Sequence, residues 1–123
     1  MRLSLTLTFL ALASVANATE SLRSTDTELD QMGLTELLSG QVIEFFDGSK
    51  STYRQDGRYE YTYTDDGPIW AGAYRMEADS TVCVDFDNGS ARCDLIVKDG
   101  TRLVLITTDG LRFPVRNITV ATD

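Results

Sequence analysis

From Gly40 onward the chain alternates between short apolar or β-branched runs and polar breaks, most of them about ten residues apart. The breaks are turn dipeptides: Asp47-Gly48, Asp56-Gly57, Asp66-Gly67, Asn88-Gly89, Asp99-Gly100 and Asp109-Gly110. Glycine supplies the positive φ that tight hairpins need, and Asp or Asn tolerates the neighbouring position. The one long gap carries a polar break of its own at Glu77-Ala78-Asp79-Ser80. Runs of Val, Ile, Thr, Tyr and Phe between such breaks predict consecutive antiparallel strands. Eight are expected, over 41–46, 50–55, 58–64, 69–76, 81–86, 91–97, 101–107 and 111–120.

Turn length fixes register, and register fixes which side chains share a face. A tight turn at Asp66-Gly67 sets Tyr63 opposite Trp70, Tyr61 opposite Gly72 and Tyr59 opposite Tyr74. A two-residue turn at Ala78-Asp79 then sets Tyr74 opposite Cys83. A three-residue loop Asp87-Asn88-Gly89 sets Cys83 opposite Cys93. Turns at Asp99-Gly100 and Asp109-Gly110 carry the same face through Leu95, Val97, Val104, Ile106, Phe113 and Val115. This face is almost wholly apolar, with Asp85 and Arg102 as its exceptions, and is expected to be the interior. The other face is split. Arg58, Glu60, Thr62, Arg75, Arg92, Asp94, Arg112 and Arg116 are polar, whereas Val82, Val84, Phe86, Ile96, Leu103 and Leu105 are not. In the first hairpin, either Ile43 and Phe45 or Val42 and Phe46 point inward.

An outward apolar patch needs a cover. Thr25-Asp26-Thr27-Glu28 resembles a capping box, and Leu34, Leu37 and Leu38 recur at helical spacing before Gly40. A helical lead-in over 27–39, broken into two short pieces by Gly33, is expected to pack on that patch. Residues 19–26 are expected to be disordered. The fold class expected is therefore all-β with a short N-terminal helix, an antiparallel meander that closes into a small barrel or stays a strongly curled sheet. The domain spans 27–123.

Residues 1–18 have the form of an export signal. Arg2 precedes the uncharged, mostly apolar run Leu3–Val15, and Ala16-Asn17-Ala18 is a small-x-small cleavage site. The run is too short for a membrane span, and no later stretch is hydrophobic enough to supply one. A periplasmic or secreted location follows as the expectation. There, Cys83 and Cys93 are expected to form a disulfide.

Processing after Ala18 leaves 105 residues, in which 10 basic side chains face 19 acidic ones, a net charge of −9. Such a charge repels nucleic acid and anionic membranes. It suits a basic partner, and Asp85 and Asp87 at the hairpin tip are the candidate contacts. The chain has no histidine, which removes the commonest general base, the commonest zinc ligand and every Ser–His–Asp or Cys–His arrangement. Asp85-Phe86-Asp87-Asn88-Gly89 departs from a calcium loop at its fifth position, and the twelfth is Ile96 where a glutamate is required. Asp85 and Asp94 lie on opposite faces and do not form a carboxylate pair. No catalytic residue, metal site or cofactor is expected. The aromatic cluster of Tyr53, Tyr59, Tyr61, Tyr63, Trp70 and Tyr74 suits either core filling or a small apolar or aromatic ligand at a barrel mouth, with Tyr59, Tyr61, Tyr63, Trp70 and Tyr74 the candidate contacts.

Several short segments resemble a group of small secreted proteins of alphaproteobacteria that is classed as a domain of unknown function. They are Leu38-Ser39-Gly40, Trp70-Ala71-Gly72-Ala73-Tyr74-Arg75, Val82-Cys83-Val84, Arg92-Cys93-Asp94, Arg102-Leu103-Val104-Leu105-Ile106 and Arg112-Phe113-Pro114-Val115-Arg116. The resemblance implies a periplasmic β domain and carries no activity with it. The expected function is a non-enzymatic binding module, with an acidic inhibitor or partner of a basic extracytoplasmic enzyme, such as a cell-wall hydrolase, as the alternative.

Overall fold

The structure, a computed structural model, describes residues 22–122. Residues 1–21, which include the expected export signal, and residue 123 lie outside them. Nine strands and one helix follow in the order β1 (Asp26–Thr27), α1 (Gln31–Leu38), β2 (Gln41–Phe45), β3 (Lys50–Tyr53), β4 (Arg58–Thr62), β5 (Trp70–Met76), β6 (Thr81–Phe86), β7 (Ala91–Asp99), β8 (Arg102–Ile106) and β9 (Arg112–Val120). Strands β2 to β9 form an up-and-down antiparallel meander, and pairing of β2 with β9 closes it into an eight-stranded barrel. The register between β2 and β9 shifts at Glu44 and Phe45, the bulge at which the closing pair bends. Strand β1 is an addition. It pairs Asp26 with Asp99 and Thr27 with Lys98, along the part of β7 that β6 does not reach.

Four hairpins use one device. Phe46-Asp47-Gly48, Gln55-Asp56-Gly57, Asp87-Asn88-Gly89 and Thr108-Asp109-Gly110 are three-residue loops that end in a positive-φ glycine. In each, the glycine N–H donates to the carbonyl just before the loop, at 3.0, 3.1, 3.0 and 2.9 Å. The Asp47, Asp56 and Asn88 side chains accept from the backbone N–H two residues on, which fixes the turn.

Which face is inside differs from the expectation. Cys83 does lie opposite Cys93, and the two are bonded with Cα atoms 4.1 Å apart. Tyr74, however, lies opposite Val84, and Arg75 opposite Cys83. The loop between β5 and β6 has three residues rather than two, because Glu77 pairs with Thr81 and both Asp79 and Ser80 adopt positive φ. One residue of slip moves a whole strand to the other face. A second slip occurs at β8–β9, where the three-residue loop sets Phe113 opposite Leu105 rather than Ile106. The tyrosines therefore share the interior with Val82, Val84, Ile96, Leu103 and Leu105. Trp70, opposite Tyr61, and the bridged sulfurs lie on opposite faces of the sheet. Leu95, Val97, Val104 and Ile106 form a separate buried cluster on the outer face, with Leu22 packed against it. Tyr61 faces Trp70 and Tyr59 faces Gly72, a two-residue offset that leaves the face unchanged because the loop after Thr62 is longer. In β2 it is Ile43 and Phe45 that point inward.

The lead-in is one helix. Asp30 caps it, its side chain accepting from the Gly33 N–H at 2.7 Å, so the helix starts later than the Thr25–Glu28 pattern suggested. Leu34 and Leu38 are fully buried in the same cluster as Val82, Val84, Ile96 and Leu105. The helix does cover that apolar patch, but from within: it closes one end of the barrel. Gln31 donates to the Met76 carbonyl, and the backbones of Leu29 and Ser80 are hydrogen bonded. Residues 22–26 are built into the fold. The Asp26 carboxylate accepts two hydrogen bonds of 2.8 Å from Arg112, which holds its own pKa below the ordinary value of 3.8.

Candidate functional site

With α1 at one end, the other end of the barrel opens into a cavity of about 460 Å³, within the range that holds small molecules. Its rim comes from the β2–β3 turn (Asp47, Ser49), from Tyr63 and from the β8–β9 segment (Thr107, Thr108, Asp109, Leu111). Its wall and floor carry Ser51, Tyr53, Tyr59 and Tyr61 on one side and Val82, Val84, Leu105 and Phe113 on the other. Alternation along β4 turns Tyr59 and Tyr61 to the same side, and their partners on β3, Tyr53 and Ser51, share it.

Polar groups in the floor are satisfied among themselves. Ser51 Oγ and Tyr59 Oη are 2.8 Å apart. Burial pushes the Tyr59 phenol up to about 12, with the Ser51 contact and the Arg92 charge acting against it. Burial likewise raises Tyr53 well above its ordinary value. Tyr61, partly buried, is raised by desolvation, and Ser49 opposes that shift. The rings pack edge to face: Tyr53 on Tyr74 at 5.2 Å, Tyr59 on Phe86 at 5.9 Å and Tyr61 on Tyr63 at 4.9 Å.

The remaining wall is charged. Arg92 and Asp94 stand on β7 opposite Val84 and Val82, within the interior face. Arg92 donates to Asp94 through Nε at 2.7 Å and through Nη2 at 3.0 Å. Asp94 is only 9% exposed. Its carboxylate raises the arginine further, against the cost of desolvation. Both residues were legible as polar interruptions of a face otherwise held by Val82, Val84 and Ile96. The register slip at β5–β6 had placed that face outside.

The expected ligand contacts divide accordingly. Tyr59, Tyr61 and Tyr63 line the cavity. Trp70 is 44% exposed and does not line it. Tyr74 does not either; its hydroxyl donates to the Arg54 carbonyl at 2.5 Å, toward the closed end, so its role is packing. At the hairpin tip, Asp85 is bridged by Arg75 and Asp87 by Arg58, each at 2.6 Å. Both carboxylates are paired with arginines of the same barrel and remain exposed. Asp85 and Asp94 do occupy opposite faces.

Among the described residues no helix is long and apolar enough to cross a membrane, and no group of three or more His, Cys, Asp or Glu is placed to hold a metal ion. No family model, no curated protein and no solved structure matches the chain.

Proposed function

We propose that this chain is a non-enzymatic binding module of an oxidising, extracytoplasmic compartment. The mouth of its barrel holds a small molecule with a flat apolar body and a few polar atoms. The observation that carries this reading is the one-ended cavity, plugged by α1 below and open above, with tyrosine rings on one wall and aliphatic side chains on the other. Convergent polar groups in an otherwise apolar cleft are the usual composition of a small-molecule site. The compartment is supported by the Cys83–Cys93 bond, a linkage that persists where thiols are not kept reduced.

Titration of the ¹⁵N-labelled, disulfide-bonded protein with a library of bicyclic aromatic fragments tests the reading. Amide shifts confined to 47–51, 59–63, 92–94 and 107–113 are expected. Shifts scattered over the outer surface, or none at millimolar fragment, overturn it.

A further inference from the structure

We infer that Arg92, held in place by Asp94, is the polar anchor of the cavity and receives an uncharged carbonyl oxygen, such as that of an amide, carried on the flat ligand. This inference rests on the binding reading above and adds the chemical class of the occupant. The pair straddles the barrel mouth: the Asp94 side chain is 11% exposed and that of Arg92 46%, so the carboxylate is held in the wall while the guanidinium stays open to the cavity it lines. The pair has a geometry that leaves donors over. A guanidinium has five N–H groups. The two-point contact with Asp94 takes the Nε–H and one Nη2–H. Both Nη1 hydrogens and the second on Nη2 have no hydrogen-bond acceptor among the described residues. Asp94 fixes the plane of the group, so those donors are set before a ligand arrives.

Charge selects the acceptor. Asp94 already cancels Arg92, and the rim adds Asp47 and Asp109. The whole chain carries −8. A carboxylate entering the mouth gains the same hydrogen bonds but meets this repulsion, whereas a neutral carbonyl does not. The rings of Tyr59 and Tyr61, facing Val84 and Leu105, accept the apolar body.

The test compares 2-naphthamide, 2-naphthoate and naphthalene as probes, with affinities from NMR titration of the disulfide-bonded protein. The amide is expected to bind about tenfold more tightly than either of the others, the increment of one hydrogen bond to a charged group. Arg92→Leu is expected to abolish the amide's advantage, so that naphthamide binds no more tightly than naphthalene to that variant. Asp94→Asn frees the arginine charge and is expected to invert the order, naphthoate above naphthamide; a merely structural role for Asp94 produces no such inversion. Arg92→Lys, which keeps the charge without the planar fork, is expected to lose the amide preference. Equal binding of amide and naphthalene in the parent, an Arg92→Leu variant that keeps the amide preference, or a parent that prefers naphthoate overturns the anchor while the cavity reading stands. Failure of all three probes to bind in the mouth overturns both.

Discussion

Among the glycines whose surroundings are described, Gly72 leaves the least room for a side chain. It sits mid-strand on β5, opposite Tyr59 on β4 and Phe86 on β6, with no positive φ to explain it. A Cβ added there would lie 2.4 Å from the Asp85 carbonyl oxygen, 2.9 Å from the Phe86 Cα and 3.0 Å from the Asp85 carbonyl carbon. All three atoms are backbone, so no side-chain rotation relieves the clash. Strands β5 and β6 must separate by about 0.6 Å or more to bring the closest contact to 3.0 Å. Overpacking of this kind costs about 3 kcal/mol when the backbone must move. For a domain of roughly 100 residues that corresponds to a fall in Tm of about 15 °C. Gly67→Ala is the internal control. Its new Cβ meets the Thr64 hydroxyl at 2.6 Å, a group that can rotate away, and a loss below about 1 kcal/mol is expected. Thermal and urea unfolding of the two variants, followed by circular dichroism, gives the comparison. Equal melting temperatures would refute the close approach of β5 and β6, and with it the register that places the tyrosines inside.

Three further outcomes are expected. Reduction of the Cys83–Cys93 bond, or replacement of both residues by alanine, should lower stability by about 3 kcal/mol on the chain-entropy model; an unchanged Tm would contradict the bridge. Tyr59 should remain protonated well above pH 10 and ionise near 12. Because the fold favours the neutral phenol, its contribution is complete below pH 10 and is lost as pH rises toward 12. Tyr59→Phe should flatten that alkaline limb, and a limb of unchanged slope would exclude Tyr59 as its source. Asp26, whose folded pKa is lowered by Arg112, contributes stability that is present above about pH 3.8 and is lost as pH falls below it. Asp26→Asn should therefore be less stable than the parent at pH 7, with the difference closing in acid; a gap that persists at pH 2 would show that the ion pair is not responsible.

Much of the fold could be read from local pattern. Aspartate- or asparagine-glycine pairs mark six of the seven meander connections, closely enough to give the strands and their order. The Cys83–Cys93 pairing followed from a three-residue loop ending in Gly89. Register differs at three connections, by two residues at β4–β5, which keeps the face, and by one residue at β5–β6 and β8–β9, which changes it. Thr108-Asp109-Gly110 has the same loop form as Asp87-Asn88-Gly89 and yields to the same rule. The β5–β6 loop does not, because its positive-φ residues are Asp79 and Ser80 and no glycine follows the aspartate to mark where the loop ends. Ser80 is held there by Leu29, which is 51 residues away in sequence. That tertiary contact overrides the local preference for a two-residue turn. Strand β1 is similar: two residues long, it depends on Arg112, far along the chain. For the candidate site, the tyrosines were visible as a stripe. Arg92 and Asp94 were visible only as polar positions until the correct face made them a wall.

A crystal structure of the disulfide-bonded protein soaked with 2-naphthamide tests the central claim most directly. Density for the bicycle between Tyr59, Tyr61 and the Val84–Leu105 wall, with its carbonyl oxygen within hydrogen-bond distance of Arg92, is the result expected. A mouth filled by the side chains of Tyr61, Tyr63 and Leu111, with the fragment absent or seated on the outer face, would contradict it.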